Sequence, residues 1–235
     1  MKILRGIWKR RRWIRSLPYT IFFNFYYLPL KQAFKLPILL YKPKLLSVKG
    51  SIIIEAKSIR TGMIKLGFPT VSIYPNSGII YENHGGVCVF KGRCSIGNSS
   101  AISIGSKGNL TLGECFSATA SVKLISYNHL EFLENATIGW DNIFTDTDFH
   151  KMTKIEGGYT KGFGKILIGK NNWFGLRCIT LKNTRTPDFC TVAGNSVLNK
   201  EYNFSPYCII GGNPCDKKSE GFYLNKFDDK IDYEL

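Results

Sequence analysis

The sequence predicts an all-β chain wound as a coil of short parallel strands, three to a turn. Apolar residues recur every six positions over most of its length, small residues often follow them, and the stride lapses for one long stretch between Phe144 and Ile168. A step of six is not a helical period, and it is too regular for ordinary strands. It suits a chain that turns a corner after each short strand, with one apolar side chain per side pointing inward.

The clearest run opens at Ile168. Its hexads start at Ile168, Phe174, Thr180, Thr186, Val192 and Leu198, and Ile210 opens "IGGNP" twelve residues later. The second positions Gly169, Gly175, Ala193 and Gly211 are small, as a corner requires. Upstream, the leads are Phe90, Ile96 and Ile102, then Leu112, Ala118 and Leu124, and, after two extra residues, Phe132, Ile138 and Phe144. Thr180 and Thr186 depart from the apolar rule and mark less regular corners. Three sides close one coil, so residues about eighteen apart should stack, as Cys190 and Cys208 or Val192 and Ile210 would. Cys88 and Cys94 fall at equivalent positions on neighbouring sides. The seven cysteines form no C-x-x-C pair and show no metal spacing. They read as buried thiols in a reducing compartment.

The repeats cover roughly 85–215. Residues 51–84 carry isolated β-rich pieces ("SIIIEA", "TVSIYP", "SGIIYE") and are expected to begin the coil irregularly. The expected organisation is an N-terminal basic segment over 1–50, the coil over 51–215 and a C-terminal tail over 216–235. Stacked coils leave open ends, and the two terminal segments are the expected caps.

The net charge is +15, and residues 1–54 hold twelve Lys/Arg with no Asp/Glu, so the remainder is almost neutral. The hydrophobic content of 44% argues against disorder. In a helix, Ile3, Leu4, Ile7, Ile14 and Leu17 would share a face, with Arg10, Arg11 and Arg12 mostly turned away. Trp8 and Trp13 suit a headgroup boundary. The apolar run Tyr19 to Leu30 is interrupted by Asn24 and Pro29 and falls short of the roughly 18 residues that span a bilayer. Arg and Pro also break any signal-peptide pattern. Residues 1–45 therefore read as a peripheral contact with an anionic membrane. A basic cap on the protein's own core is the alternative. No nucleic-acid motif appears, and no nucleic-acid partner is expected.

The lapse reads "TDTDFHKMTKIEGGYTKGFGKIL", a loop thrown out of the coil. At its root Asp146, Asp148 and His150 alternate, so an extended chain would project them to one side. An imidazole beside a carboxylate can act as a general base, and a polar loop or a metal site are the other readings. The remaining histidines, His84 and His129, have no second histidine nearby and read as structural.

"GWDNIFTDTDFH", "GGVCVFKGRCSIG", "IGKNNWFG", "VAGNSVL", "IIGGNPCDK" and the lead-in "TIFFNFYYLPLKQAFKLPI" together resemble the hexapeptide-repeat acyltransferases, in particular the bacterial polysaccharide O-acetyltransferases. The resemblance implies a left-handed parallel β-helix and a homotrimer with clefts between neighbouring copies. It implies transfer of acetyl from acetyl-CoA to a sugar hydroxyl of a capsular, exo- or lipopolysaccharide precursor, in the bacterial cytoplasm at the inner membrane face. His150 becomes the general base, with Asp148, then Asp146, as the group orienting it. Trp140 and Asp141 would line the acceptor pocket. CoA would lie against Trp173, Gly175, Gly194 and Asn195, with its phosphates near Lys217 and Lys218. Relatives commonly read "GNPAK" where this chain has Cys215 and Asp216 before those lysines. Arg177, Lys182 and Arg185 are further candidates. No metal is expected, since the zinc-dependent carbonic anhydrases of this fold need three shared histidines. N-acetylation of a nucleotide-linked amino sugar and a non-catalytic scaffold are the alternative functions.

Overall fold

The computed structural model describes residues 16–226 and 228. The expected helical face of residues 1–15, with both of its tryptophans, lies outside them. The described strands form three sheets of nine, seven and five strands, here called A, B and C. The chain visits A, B and C in turn: Ile38–Leu40, Pro43–Val48 and Ser51–Ile54 make the first coil. All pairings are parallel save the last, where Asp216–Glu220 runs antiparallel to Cys208–Gly211. This is the left-handed parallel β-helix the stride and the resemblance predict.

Every hexad lead from Phe90 to Ile210 is buried, and most are wholly inaccessible. Phe116, Phe132, Phe144 and Phe174 pack edge-on down the axis with ring centroids 4.8, 4.9 and 5.1 Å apart. Each buried ring contributes about 2–3 kcal/mol by removal from water, and the edge-on geometry adds to that. Six of the seven cysteines are buried; Cys115 is half-buried at a corner, where Arg93 Nη2 donates to its Sγ at 3.0 Å. Burial pushes the Cys88 thiol up to about 12, so it is an inert packing group.

The eighteen-residue stack holds in the last coils, where Val192 pairs with Ile210. Earlier coils are longer: Ile96 pairs with Ala118, twenty-two residues on. Between Phe90 and Leu198 all the extra residues enter at one edge, from sheet B to sheet C. They fall between Ile102 and Leu112, Leu124 and Phe132, and Phe144 and Ile168. The other two edges keep the six-residue step, because ladders on both sides fix the register of the inward side chains.

The coil also starts earlier than expected. Ile38–Leu40 pairs with Ile64–Leu66, and Pro43–Val48 with Ile79–Asn83, so the parallel ladders begin at Ile38, ahead of the expected 51. The stride misses this turn because the inward residues of the first coils, Leu40, Leu45, Ile54, Leu66 and Tyr81, are not six apart; its corner is Lys42, at φ +43°. Later corners use asparagine in the same left-handed conformation, as at Asn135, Asn171, Asn183 and Asn195.

Both ends are capped. Helix α1 (Leu17–Tyr27) lies against the first strand of sheet A. Asn24 Nδ2 donates to the Ile38 carbonyl at 2.7 Å, and Ile38 N–H donates back to Asn24 Oδ1 at 3.1 Å. Leu40 N–H donates to Thr20 Oγ1 at 3.1 Å. Side chains thus stand in for the missing strand and satisfy an edge that would otherwise be open. Helix α1 stops before Pro29, which disfavours helix at Leu28. A single turn, α2 (Leu30–Ala33), follows. At the other end the antiparallel strand covers sheet A, and Tyr223 closes on Phe189 and Tyr207 with centroids 5.9 and 5.5 Å away.

The two threonine leads differ in their chemistry. Thr186 Oγ1 donates to Asn172 Oδ1 at 2.6 Å and accepts from Gly169 N–H at 3.1 Å. Thr180 Oγ1 is buried and has no hydrogen-bond partner among the described residues. Thr180→Val is therefore expected to stabilise the chain by about 1 kcal/mol, and Thr186→Val to destabilise it by about 1–2 kcal/mol. Denaturation midpoints at unchanged m-value read both; a loss of stability in Thr180→Val would refute the reading of its hydroxyl.

Candidate active site

The sequence from Asp146 to Gly164 leaves the B–C edge as a hairpin arm. Gly164 N–H donates to the Asp146 carbonyl at 3.0 Å, Asp148 N–H to Gly162 at 2.8 Å and Thr160 N–H to Met152 at 2.9 Å. Thr147 bridges Phe163 and Thr153 bridges Tyr159, both antiparallel. Gly157 and Gly158 turn the tip with φ of +94° and +83°; open space surrounds both, so conformation alone calls for glycine.

Asp146 roots this arm. Its carboxylate is buried and aimed at the preceding corner. Oδ1 accepts from Tyr127 N–H at 2.7 Å, and Oδ2 accepts from Asn128 N–H at 2.9 Å and from Ser126 Oγ at 3.2 Å. Burial raises its pKa above the usual carboxylate value, and these donors pull the other way. Asp146, expected as the second candidate to orient His150, has both its oxygens bonded to the 126–128 corner in this structure. Asp148 is also engaged elsewhere: its carboxylate pairs with Lys182 Nζ, which also donates to the Lys161 carbonyl at 3.2 Å. That pair ties the arm to the coil above.

Phe149 takes φ +59°, an uncommon conformation for a bulky residue, and its ring meets Tyr127 edge-on at 4.9 Å. Tyr127 lies over Gly105, where a Cβ would come within 2.5 Å of its ring. His150 follows, exposed and without a hydrogen bond, ion pair or ring contact among the described residues. The imidazole is thus presented to solvent by a structured arm, with both nitrogens open to an incoming hydroxyl or an outside partner. His84 and His129 sit at the same edge. His84 Nε2 is 3.7 Å from Glu82 and His129 Nε2 is 3.2 Å from Glu131.

The other site candidates gather on a different edge, from sheet A to sheet B. Asp141 turns that corner with φ +57°, and Tyr74 donates its hydroxyl to Asp141 Oδ2 at 2.6 Å. The Tyr74 ring also packs on Trp140, centroids 6.0 Å apart. Sequence reasoning missed Tyr74, which stands in an irregular stretch with no motif to mark it. Arg177 and Asn195 occupy the equivalent corner in the next two coils. Gly175 is required by packing, since a Cβ there would come within 2.8 Å of the Gly194 backbone. Trp173 stands on the outer face of sheet A and is 39% exposed, flanked by Thr137 and Thr191. Lys217 is neutralised by Glu220. Lys218, by contrast, has no carboxylate in ion-pair range among the described residues and points toward Gly212. An elongated anionic ligand could therefore lie along Trp173, the Gly175–Gly194 corner and Lys218.

The coil keeps the two groups apart. Asp141 and Asp146 are separated by five residues of extended chain, about 16 Å. The outer face of sheet B lies between them and is mixed: Ile80, Ile125, Ile143, Ile179 and Val197 share it with Lys44, Glu82, Ser103, Lys123 and Thr145. Among the described residues no group of three His, Cys, Asp or Glu side chains is placed to hold a metal.

No family model matches the chain. It is 28% identical over 179 residues to a Klebsiella pneumoniae protein described as "Uncharacterized 24.8 kDa protein in cps region", which covers 75% of this chain and 79% of that one. Among solved structures, it is similar to the polySia specific acetyltransferase NeuO, with a TM-score of 0.49 and 14% identity over 80% of this chain and 74% of that one. It is also similar to a maltose O-acetyltransferase from Clostridium difficile 630, with a TM-score of 0.40 and 16% identity over 89% and 86%.

Proposed function

We propose that this chain is an acetyl-CoA-dependent O-acetyltransferase acting on a sugar hydroxyl of a capsular, exo- or lipopolysaccharide precursor. The observation that carries the reading is His150, held out at the root of a hairpin arm with no partner among the described residues. A neutral imidazole there takes the proton of the sugar hydroxyl as its oxygen attacks the thioester carbonyl. The carbon–sulfur bond breaks, and the CoA thiolate recovers the proton from the imidazolium. The transfer is direct, since no serine or cysteine in the chain stands in a recognisable nucleophile motif. The polysaccharide reading draws on the resemblance and on the cps region named for the Klebsiella relative.

The site is completed between copies. His150 on the B–C edge and Trp140, Asp141, Gly175, Gly194 and Asn195 on the A–B edge meet when the outer face of sheet B, with Ile80, Ile143 and Ile179 among its residues, packs against a second copy. A homotrimer closes this arrangement through one repeated heterologous contact. The copies work at the inner membrane face. Tyr19, Phe22, Phe25 and Tyr26 of α1, with Leu30 and Phe34 beyond, are exposed as an aromatic ridge, and the basic residues 1–15 precede it. Such a ridge suits the headgroup boundary. No helix among the described residues is long and apolar enough to cross a membrane.

Two measurements test these readings. Incubation with acetyl-CoA and a panel of sugars should release free thiol in an acceptor-dependent manner. No release with any acceptor would favour the scaffold. Removal of residues 1–17, which carry seven Lys/Arg, should weaken binding to anionic vesicles at least tenfold, on the order of 1 kcal/mol being lost per cation near the surface. Unchanged binding would refute the membrane contact.

A further inference from the structure

The charges of the coil are paired unevenly. On the C–A side and the C-terminal strand the cations meet carboxylates: Lys91 with Glu131 at 3.2 Å, Arg93 with Glu114 at 3.3 Å, Lys170 with Glu134 at 3.0 Å, and Lys217 with Glu220. Around His150 the pattern inverts. Lys151, Lys154 and Lys161 project from the arm, and Lys165 and Arg185 from the coil wall beside it, all exposed. Among the described residues none of these five has a carboxylate in ion-pair range. The acids nearby are few: Asp148 is taken by Lys182, Glu131 by Lys91 and His129, Glu156 stands at the arm's tip and Glu201 neighbours Arg185. Two of the lysines are instead steadied on aromatic faces, Lys151 over Tyr159 at 3.7 Å and Lys161 over Phe163 at 5.0 Å. In a body with almost no net charge outside its N-terminal segment, a band of unneutralised cations beside the proposed base is a local excess of positive potential.

We propose that this band binds the acceptor, and that the acceptor is an acidic glycan bearing carboxylates or phosphates. The inference rests on the acetyl-transfer reading and names the substrate class for that site. The band is extended: it runs from coil to coil at about 4.8 Å per step and out along the arm. A repeating polyanion matches that spread. Most donor candidates, by contrast, lie on sheet A, the A–B edge and around Lys218; of those named for CoA, Lys182 and Arg185 stand at the band, with Lys182 taken by Asp148. Exposed tyrosine and phenylalanine rings between the lysines offer flat faces to sugar C–H groups, so charge and stacking act on one ligand.

The test uses the full chain and a charge-neutralised variant carrying Lys154→Gln, Lys161→Gln and Lys165→Gln. The probes are a polyuronate and the same polymer with its carboxyls reduced to alcohols. Wild type should bind the polyuronate at least tenfold more tightly than the reduced polymer, and the preference should shrink as salt rises. The variant should lose about tenfold of that affinity with its unfolding midpoint unchanged and its KM for acetyl-CoA unmoved. The basic N-terminus is common to both proteins, so a preference retained in the variant assigns binding to that segment and overturns the proposal. A raised KM for acetyl-CoA in the variant also overturns it, because the band would then hold the donor's phosphates. Selective binding through the band with no thiol release from acetyl-CoA would support the anion site while refuting acetyl transfer.

Discussion

His150→Ala should lower acceptor-dependent turnover of acetyl-CoA by about 10²-fold or more while leaving the protein folded. The structure separates these two effects. His150 is exposed and makes no contact that the fold needs, so its truncation should change stability by no more than about 0.5 kcal/mol. A sugar hydroxyl is a poor nucleophile near neutral pH, and without the base its proton must go to water. Asp148 supplies the internal contrast. Its carboxylate is taken by Lys182, so Asp148→Asn should act through looseness of the arm and cost less than His150→Ala, about tenfold at most. Thiol release under saturating acetyl-CoA, with unfolding midpoints alongside, reads both variants. Equal rates for wild type and His150→Ala would remove His150 from the chemistry. A loss in Asp148→Asn as large as in His150→Ala would mean that the pair acts as a unit.

The coil was legible because its period is enforced by geometry. An inward lead every sixth residue is what three short strands per turn require, and each lead named from the sequence is buried. What escaped lies where local chemistry replaces the period. In the first coils the inward residues Leu40, Leu45, Ile54, Leu66 and Tyr81 are not six apart, so the stride gives no sign of the ladders that begin at Ile38. Helix α1 satisfies the first strand through Asn24 and Thr20, a long-range pairing that no local pattern encodes. The site was legible in part. The lapse in the stride located the arm and His150, and alternation predicted Asp146, Asp148 and His150 on one side. The actual partners were set by three-dimensional neighbours: the amides of the 126–128 corner for Asp146 and Lys182 for Asp148. The Tyr74–Asp141 bond joins residues sixty-seven apart along the chain and was equally invisible.

Asp146→Ala should destabilise the chain by about 3 kcal/mol or more, and the size follows from what is left behind. Two backbone N–H groups, of Tyr127 and Asn128, lose their acceptors inside the corner. Each orphaned donor costs about 1–3 kcal/mol. Ser126 is spared, because its one O–H, shared between Asp146 Oδ2 and the Asn109 carbonyl, can turn wholly to the carbonyl at 2.9 Å. Asp146→Asn should recover only part of the loss, since its NH₂ must face one of the two donors. The pH dependence carries a further consequence. Burial, the largest influence on this carboxyl, raises its folded pKa above the ordinary value of 3.8. Such a group contributes its full stability below the unfolded pKa and loses part of it as pH rises through the raised value. The gap between wild type and Asp146→Ala should therefore be widest near pH 3.5 and narrow as pH climbs past 3.8, other carboxylates being common to both. A gap that widens with pH would mean that the two amides and Ser126 outweigh burial. Turnover should fall as well, because the corner that Asp146 holds is the one on which Tyr127 meets Phe149, one residue from His150. If Asp146→Ala keeps full turnover at a temperature where it remains folded, the arm does not depend on this root to place His150.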